Sequence, residues 1–256
     1  MKYLFPSILL ILTFSGQAQN GFFSKTGKWG IGIKAGGITT KIGDLKTTII
    51  REWHPDSTYM LEEKFNWGFT GGVAFYYRFP NSAVAIQPEV TFSMQGSQLH
   101  YTDSILISDT DTVGLDYTMK FKYQYINILP LFKIYPFLNQ DNFLNQLHVL
   151  IGPQLSINIA PANITYVSNK PYIGPDLQIQ QNLRGVLKGR TDVSVALGLG
   201  YQLPGEYPFS LECRANLGFV DTVQTLANGY NFIENRNPSV SFQLTLGYTV
   251  PVDDPN

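Results

Sequence analysis

The chain has 256 residues, a formal net charge of -1, and 14% charged against 14% aromatic residues. About 25% charged is usual for a soluble domain, so little charge is on hand to hydrate an outer surface. Near-neutrality also removes the basic footprint expected of a nucleic-acid binder, and a lone Cys213 excludes an intramolecular disulfide.

At the N-terminus Lys2 precedes the apolar run Tyr3 to Phe14, which is followed by Ser15-Gly16-Gln17-Ala18. This is the pattern of a cleaved secretory signal, expected to occupy residues 1–18 and to leave residues 19–256 as one barrel domain. The run falls short of the roughly 20 apolar residues of a spanning helix. No later segment reaches that length, so only strands closed into a barrel could cross a membrane.

The first strand is expected near 28–38, and the second, near 66–79, shows the governing rhythm. Odd positions read Trp67, Phe69, Gly71, Val73, Phe75, Tyr77, Phe79; even ones read Gly68, Thr70, Gly72, Ala74, Tyr76, Arg78. That is the two-residue period of a strand. It recurs near 84–97, where Val84, Ile86, Val90, Phe92 and Met94 alternate with Ala85, Gln87, Glu89, Thr91, Ser93 and Gln95. Further strands are expected near 118–135, 146–160, 191–203, 209–220 and 238–250. A soluble barrel would turn the bulky faces inward and leave small Gly-, Ser- and Thr-rich faces for water, with few charges. Apolar residues outward to lipid and polar ones inward fit better.

Connections after the second, fourth and sixth strands are short, as in Pro80-Asn81-Ser82-Ala83, while those after the odd-numbered strands are long. This sorting matches the short periplasmic turns and long outer loops of outer-membrane barrels. With the N-terminus on the periplasmic side, Trp29, Tyr77, Phe79, Tyr135, Tyr201, Phe209 and Tyr248 form a candidate interfacial girdle. The fold class expected is therefore all-β, a closed antiparallel up-and-down transmembrane barrel of about eight strands.

Two places resist the pattern. Pro88 lacks an N–H for the ladder, so a local bulge is expected there. In the fourth strand Met119, Phe121, Tyr123 and Tyr125 alternate with Lys120, Lys122 and Gln124, and the phase changes at Ile126 to Pro130, which predicts a second bulge. Strand period also continues through Tyr101–Ile107 and Val113–Tyr117, consistent with a hairpin rising past the membrane or with a polar loop.

Several short segments then stand out in order: Gly32-Ile33-Lys34-Ala35-Gly36-Gly37, Gly68-Phe69-Thr70-Gly71-Gly72, Gln87-Pro88-Glu89, Tyr125 to Pro130, Gly152-Pro153-Gln154, Gly198 to Tyr201 and Leu244 to Tyr248. On these the chain resembles the eight-stranded outer-membrane barrel family of Bacteroidota often called the PorT family. The resemblance implies an outer-membrane location and transfers no active site. The chain departs from that pattern by continuing past Tyr248 through Val250 to Asn256.

On the inferred lumen faces Lys34, Arg78, Glu89, Glu212 and Arg214 are expected to form a connected polar network, with Asp192, Lys133 and His148 nearby. An eight-stranded barrel has room for side chains but not for a wide pore, so opposite charges should pair. No catalytic, metal or cofactor site is specified. His100 with Asp103 and Ser104 offers the residue types of a hydrolase without triad geometry, and Asp109-Thr110-Asp111 reads as a solvated turn rather than a calcium loop. The expected function is a non-enzymatic barrel with a structural or surface-binding role through its outer loops. Its partners would be membrane lipid and a surface ligand or protein. A narrow solute channel, or an outer-membrane lipid-modifying enzyme or protease, are the alternatives.

Overall fold

The computed structural model describes residues 28–43, 60–80, 82–108, 111–137, 143–168, 187–203, 209–225 and 238–252. Its strands are β1 (Lys28–Ile42), β2 (Met60–Arg78), β3 (Val84–Ser108), β4 (Asp111–Ile134), β5 (Leu147–Asn158), β6 (Asn163–Ser168), β7 (Leu187–Gly189), β8 (Asp192–Gln202), β9 (Phe209–Gly218), β10 (Val223–Thr225) and β11 (Ser239–Val252). Eight of them form the wall, in the order β1–β2–β3–β4–β5–β8–β9–β11, and β11 returns to β1 with Ile33 opposite Tyr248. Every neighbouring pair in this wall is antiparallel. The result is a closed eight-stranded antiparallel barrel, in which no wall strand is left as an edge.

Alternation in the wall runs opposite to that of a soluble barrel. Ile31, Ile33, Phe69, Val73, Phe75, Val90, Ile128, Phe132, Ile151, Leu199, Leu211, Leu244 and Leu246 are exposed on the outside, whereas Lys34, Glu89, Ser93, Ser156, Glu212, Arg214, Asn216 and Thr245 are buried within. Hydration would penalise such an exterior; a hydrocarbon solvent would favour it. Cys213 lies on the same outward face, opposite Leu199 and Leu244.

The two expected bulges are not where the sequence placed them. Across Pro88 the register is unbroken, since Ala74 faces Glu89 and Tyr77 faces Ile86. Pro88 faces Pro130 on the other side and is exposed on the outer wall. The shift between β2 and β3 falls instead between Phe65 and Thr70. In β4 the phase never changes: Met119, Phe121, Tyr123, Tyr125, Asn127, Leu129, Leu131 and Lys133 are all buried on one continuous inner face. Polarity inverts along that face while geometry does not, because the upper lumen is apolar and takes the rings.

The strands also overrun their expected limits. β3 and β4 stay paired to Ser108 opposite Asp111, so the long third connection is mostly a two-stranded ribbon. β11 reaches Val252, opposite Trp29, so the strand continues past Tyr248. Residues 1–18, the turn of that ribbon at 109–110 and the remaining tail from 253 lie outside the described residues.

β6 continues the line of β5 along β4, with a dislocation. Tyr125 faces Asn158 and Lys122 faces Asn163, so residues 159–162 stand opposite only Tyr123 and Gln124. β7 and β10 form a separate two-stranded ribbon with Leu187 opposite Thr225, and the bond from Arg190 N–H to the Thr222 carbonyl at 2.8 Å carries its ladder one position toward β8 and β9.

Candidate functional site

The inner faces of β1, β3, β4 and β9 bring five charged side chains to one place because each sits on the inward parity of its strand. Lys34 Nζ lies 2.5 Å from both Glu89 Oε1 and Glu212 Oε2. Arg214 donates to Glu89 through both terminal nitrogens, at 2.7 and 2.6 Å, and also to Glu212. Lys133 Nζ is 2.9 Å from Glu212 Oε1, and the Gln87 amide donates to Glu89. His148 Nε2 lies 3.8 Å from Glu212 Oε1, with the imidazole ring 5.2 Å from the ring of Tyr135.

Four of the five network residues read from the sequence, Lys34, Glu89, Glu212 and Arg214, thus meet. Arg78 is buried at the short-turn end, where it donates to the Ser82 carbonyl and its guanidinium stands 4.9 Å from the Tyr135 ring. Lys133 takes part where Arg78 was expected. Its signal was present in the odd parity of β4, and the false phase change at Ile126 to Pro130 hid it. Asp192 is buried and accepts from the Ser239 hydroxyl.

Above the charges lies a neutral polar layer. Asn127 donates to Thr91 and Ser93 at 3.2 and 2.9 Å, and Asn216 donates to Ser241 at 3.0 Å. Higher still, Ile42, Leu99, Met119, Phe121, Tyr123, Tyr125, Ala162 and Ile164 form one buried apolar cluster with Leu187 of β7 and Val223 of β10. The Tyr123 hydroxyl donates to the Leu187 carbonyl at 3.3 Å. The β7–β10 ribbon therefore folds across the mouth at the long-loop end, and its apolar side seals against the inner wall.

Of the expected girdle, Trp29 and Tyr77 pack at 4.4 Å, Tyr77 and Phe79 at 5.1 Å, and Phe209 and Tyr248 at 5.0 Å between ring centroids. Tyr201 is half-buried at the same end. Tyr135 does not belong with them. It is 1% exposed, faces the lumen and shares a 3.2 Å hydroxyl contact with Tyr76. The reason is again the unbroken parity of β4. Phe121 and Tyr123 also point inward, and the opposite rim is marked on the outside by Phe65, Trp67, Phe219 and Phe242.

A closed wall with a charged interior, an apolar belt and rings at its lower border is the architecture of a transmembrane barrel. The family model described as outer membrane protein beta-barrel domain matches residues 17–224. The chain belongs to this family. Its place is accordingly the outer membrane.

Among solved structures, this outer-membrane barrel is similar to Neisserial surface protein A, at 14% identity, 86% coverage of this chain, 96% of that one and a TM-score of 0.36. It is also similar to Ail of Yersinia pestis, at 13% identity, 88% and 99% coverage and a TM-score of 0.32. OprG of Pseudomonas aeruginosa follows at 11% identity, 88% and 98% coverage and a TM-score of 0.32. No curated protein matches the chain.

His100, the best sequence candidate for a catalytic base, lies in β3 on the outward face. Its Nε2 is 2.9 Å from Asp116 Oδ1, and its Nδ1 is 3.4 Å from Lys64 Nζ and 3.9 Å from Glu62 Oε2. No hydroxyl is among these partners. The side chains of Asp103 and Ser104 lie outside the described residues, as does the segment 109–110 weighed for calcium.

Proposed function

We propose that this protein is a non-enzymatic, non-conducting outer-membrane barrel whose role is structural or surface-binding, exerted from its long-loop side. The observation that carries this reading is the Lys34–Glu89–Arg214–Glu212–Lys133 cluster, which fills the lumen beneath an apolar mouth. Carboxylates held by two or three cations have little freedom to pass a solute, and opening such a cluster would leave buried charges unpaired. Function then falls to the ribbon of β3 and β4 and to the other outer connections. The resemblance to the PorT-like barrels of Bacteroidota supports the same reading, with export by a cleaved signal that leaves Gln19 first.

Planar-bilayer recording of the reconstituted full chain is the test. Absence of steady conductance is the expected result; reproducible single-channel steps would overturn the reading in favour of a narrow solute channel. The enzyme alternative rests on His100, and loss of a lipid-modifying or proteolytic activity in His100→Ala would establish it. Retention in membranes through a carbonate wash and altered gel migration on boiling serve as the controls for a folded barrel.

A further inference from the structure

Just above the apolar belt, the outward faces of neighbouring strands change character together. On β4 the outward residues run Ile134, Phe132, Pro130, Ile128 and Ile126 through the belt, and then Gln124, Lys122 and Lys120. On β3 they run Ile86, Pro88, Val90, Phe92 and Met94, and then Gly96 and Gln98. The registers align these changes: Lys64 of β2 faces Gln98, Gln98 faces Lys120, and Lys120 faces Thr165 of β6. One outward position nearer the belt, Lys122 stands between Gly96 and Asn163. Trp67, 72% exposed, marks the top of the belt on β2.

These lysines differ in what holds them. Lys64 Nζ is 2.8 Å from Glu62 Oε2 and is thereby neutralised. Among the described residues no carboxylate pairs with Lys120 or Lys122. Two residues apart on one strand, they project from the same face about 7 Å apart. Gly96 and Gln98 beside them present no competing charge. Their methylene stems can lie along the wall while the ammonium groups sit where hydrocarbon gives way to headgroups.

We propose that Lys120 and Lys122 form a docking patch for the phosphate headgroup of an anionic lipid in the leaflet at the long-loop rim. The acyl chains of that lipid would lie on the Ile126, Phe92 and Met94 surface directly below. Continuity of the cationic pair with the lipid-facing belt selects a membrane lipid over a protein partner, because whatever fills the belt is already hydrocarbon. Two uncompensated ammonium groups one headgroup above it select an anionic one. This is a lipid-selecting surface, separate from the lumen cluster and independent of whether the barrel conducts.

The experiment uses the full chain in bilayer discs made from equal amounts of phosphatidylglycerol and phosphatidylcholine, with the lipid retained after mild detergent extraction read by native mass spectrometry. A lysine near an anionic surface is worth roughly a fivefold preference. The parent chain should therefore retain phosphatidylglycerol several-fold over phosphatidylcholine, and K120Q/K122Q should bring the ratio close to one. K188Q, which alters an exposed lysine on the β7–β10 ribbon, should leave the ratio unchanged. Equal retention of the two lipids by the parent chain, or an unaltered preference in K120Q/K122Q, overturns the proposal. So does an equal loss in K188Q, which would assign the effect to overall charge. Millimolar inorganic phosphate should not displace the lipid; displacement by phosphate alone would mark a free-anion site instead. Heat-modifiable gel migration verifies folding, and K122Q alone, expected to lose part of the preference, carries the test should the double variant fail to fold.

Discussion

Arg214 of β9 grips Glu89 of β3 through two parallel hydrogen bonds of 2.7 and 2.6 Å, across the lumen and 125 residues apart in the chain. The fork geometry matches guanidinium to carboxylate and ties together opposite sides of the wall. Removing one partner of a buried pair typically costs about 3 to 5 kcal/mol, since the other charge is left desolvated and unpaired. Glu89→Ala should therefore lower the temperature at which the folded gel band is lost far more than Glu62→Ala, whose carboxylate is exposed. Equal effects would show that Glu89 is not committed to the cluster.

Cys213 reports which face meets lipid. It lies outward opposite Leu199 and Leu244. A membrane-soluble maleimide should label it in intact membranes, whereas a charged, water-soluble thiol reagent should react only after the barrel is unfolded. Rapid reaction with the charged reagent would place this face in water.

Adjacent glycines on β1 should respond oppositely to the same substitution. A methyl group on Gly36 would run into the Leu244 carbonyl and come within 2.7 Å of the Thr245 Cα, both on the neighbouring β11. On Gly37 it would meet nothing within 4 Å. Gly36→Ala should destabilise by about 1 to 3 kcal/mol through overpacking at the β1–β11 seam that closes the barrel. Gly37→Ala should be tolerated. Thermal melts of the two variants in the same detergent make the comparison.

The ribbon beyond the wall makes a prediction about exchange. β2 pairs with β3 only as far as Met60 opposite Thr102, and β6 pairs with β4 only as far as Ser168 opposite Tyr117. Among the described residues, the strands from Asp103 to Ser108 and from Asp111 to Asp116 pair only with each other. Alternate amides there should be protected from hydrogen exchange and the intervening ones should exchange fast, as in an antiparallel pair with two open edges. Uniformly rapid exchange would argue for a loop.

Above the belt, a hydrogen bond from Lys64, reinforced by its positive charge, holds the Glu62 carboxyl below the ordinary carboxylate range. A depressed folded-state value means that the contact favours the folded state above the unfolded pKa and is lost as pH falls through the folded one. Lys64→Met should accordingly raise the titration midpoint of Glu62, followed by carboxyl carbon shifts. An unchanged midpoint would mean that the pair does not form in solution.

Much of the architecture was legible because period two is a local property. The parity of Lys34, Glu89, Glu212 and Arg214 could be read without knowing their neighbours, and in a narrow barrel shared inward parity is nearly enough to bring charges together. The placement of Trp29, Tyr77, Phe79, Phe209 and Tyr248 together at the short-turn end, where they pack in pairs, was legible for the same reason. Tyr135 and the phase of β4 were not. Inferring facing from polarity fails where the lumen itself is apolar, and Phe121, Tyr123 and Tyr125 face an interior built by Ile42, Leu99 and Ile164 together with Leu187 of β7 and Val223 of β10.

By itself the sequence determined that this chain alternates, that its bulky side wants hydrocarbon, and that its inner charges must find partners, since each follows from side-chain chemistry repeated along a strand. Tertiary structure decided which partners they find. Lys133 rather than Arg78 reaches Glu212, bulges fall at Phe65–Thr70 and after Asn158 rather than at the prolines, and a distant ribbon closes the mouth. These outcomes depend on register between strands and on segments meeting across the lumen, where distances are set by closure of the whole barrel and not by any local run of residues.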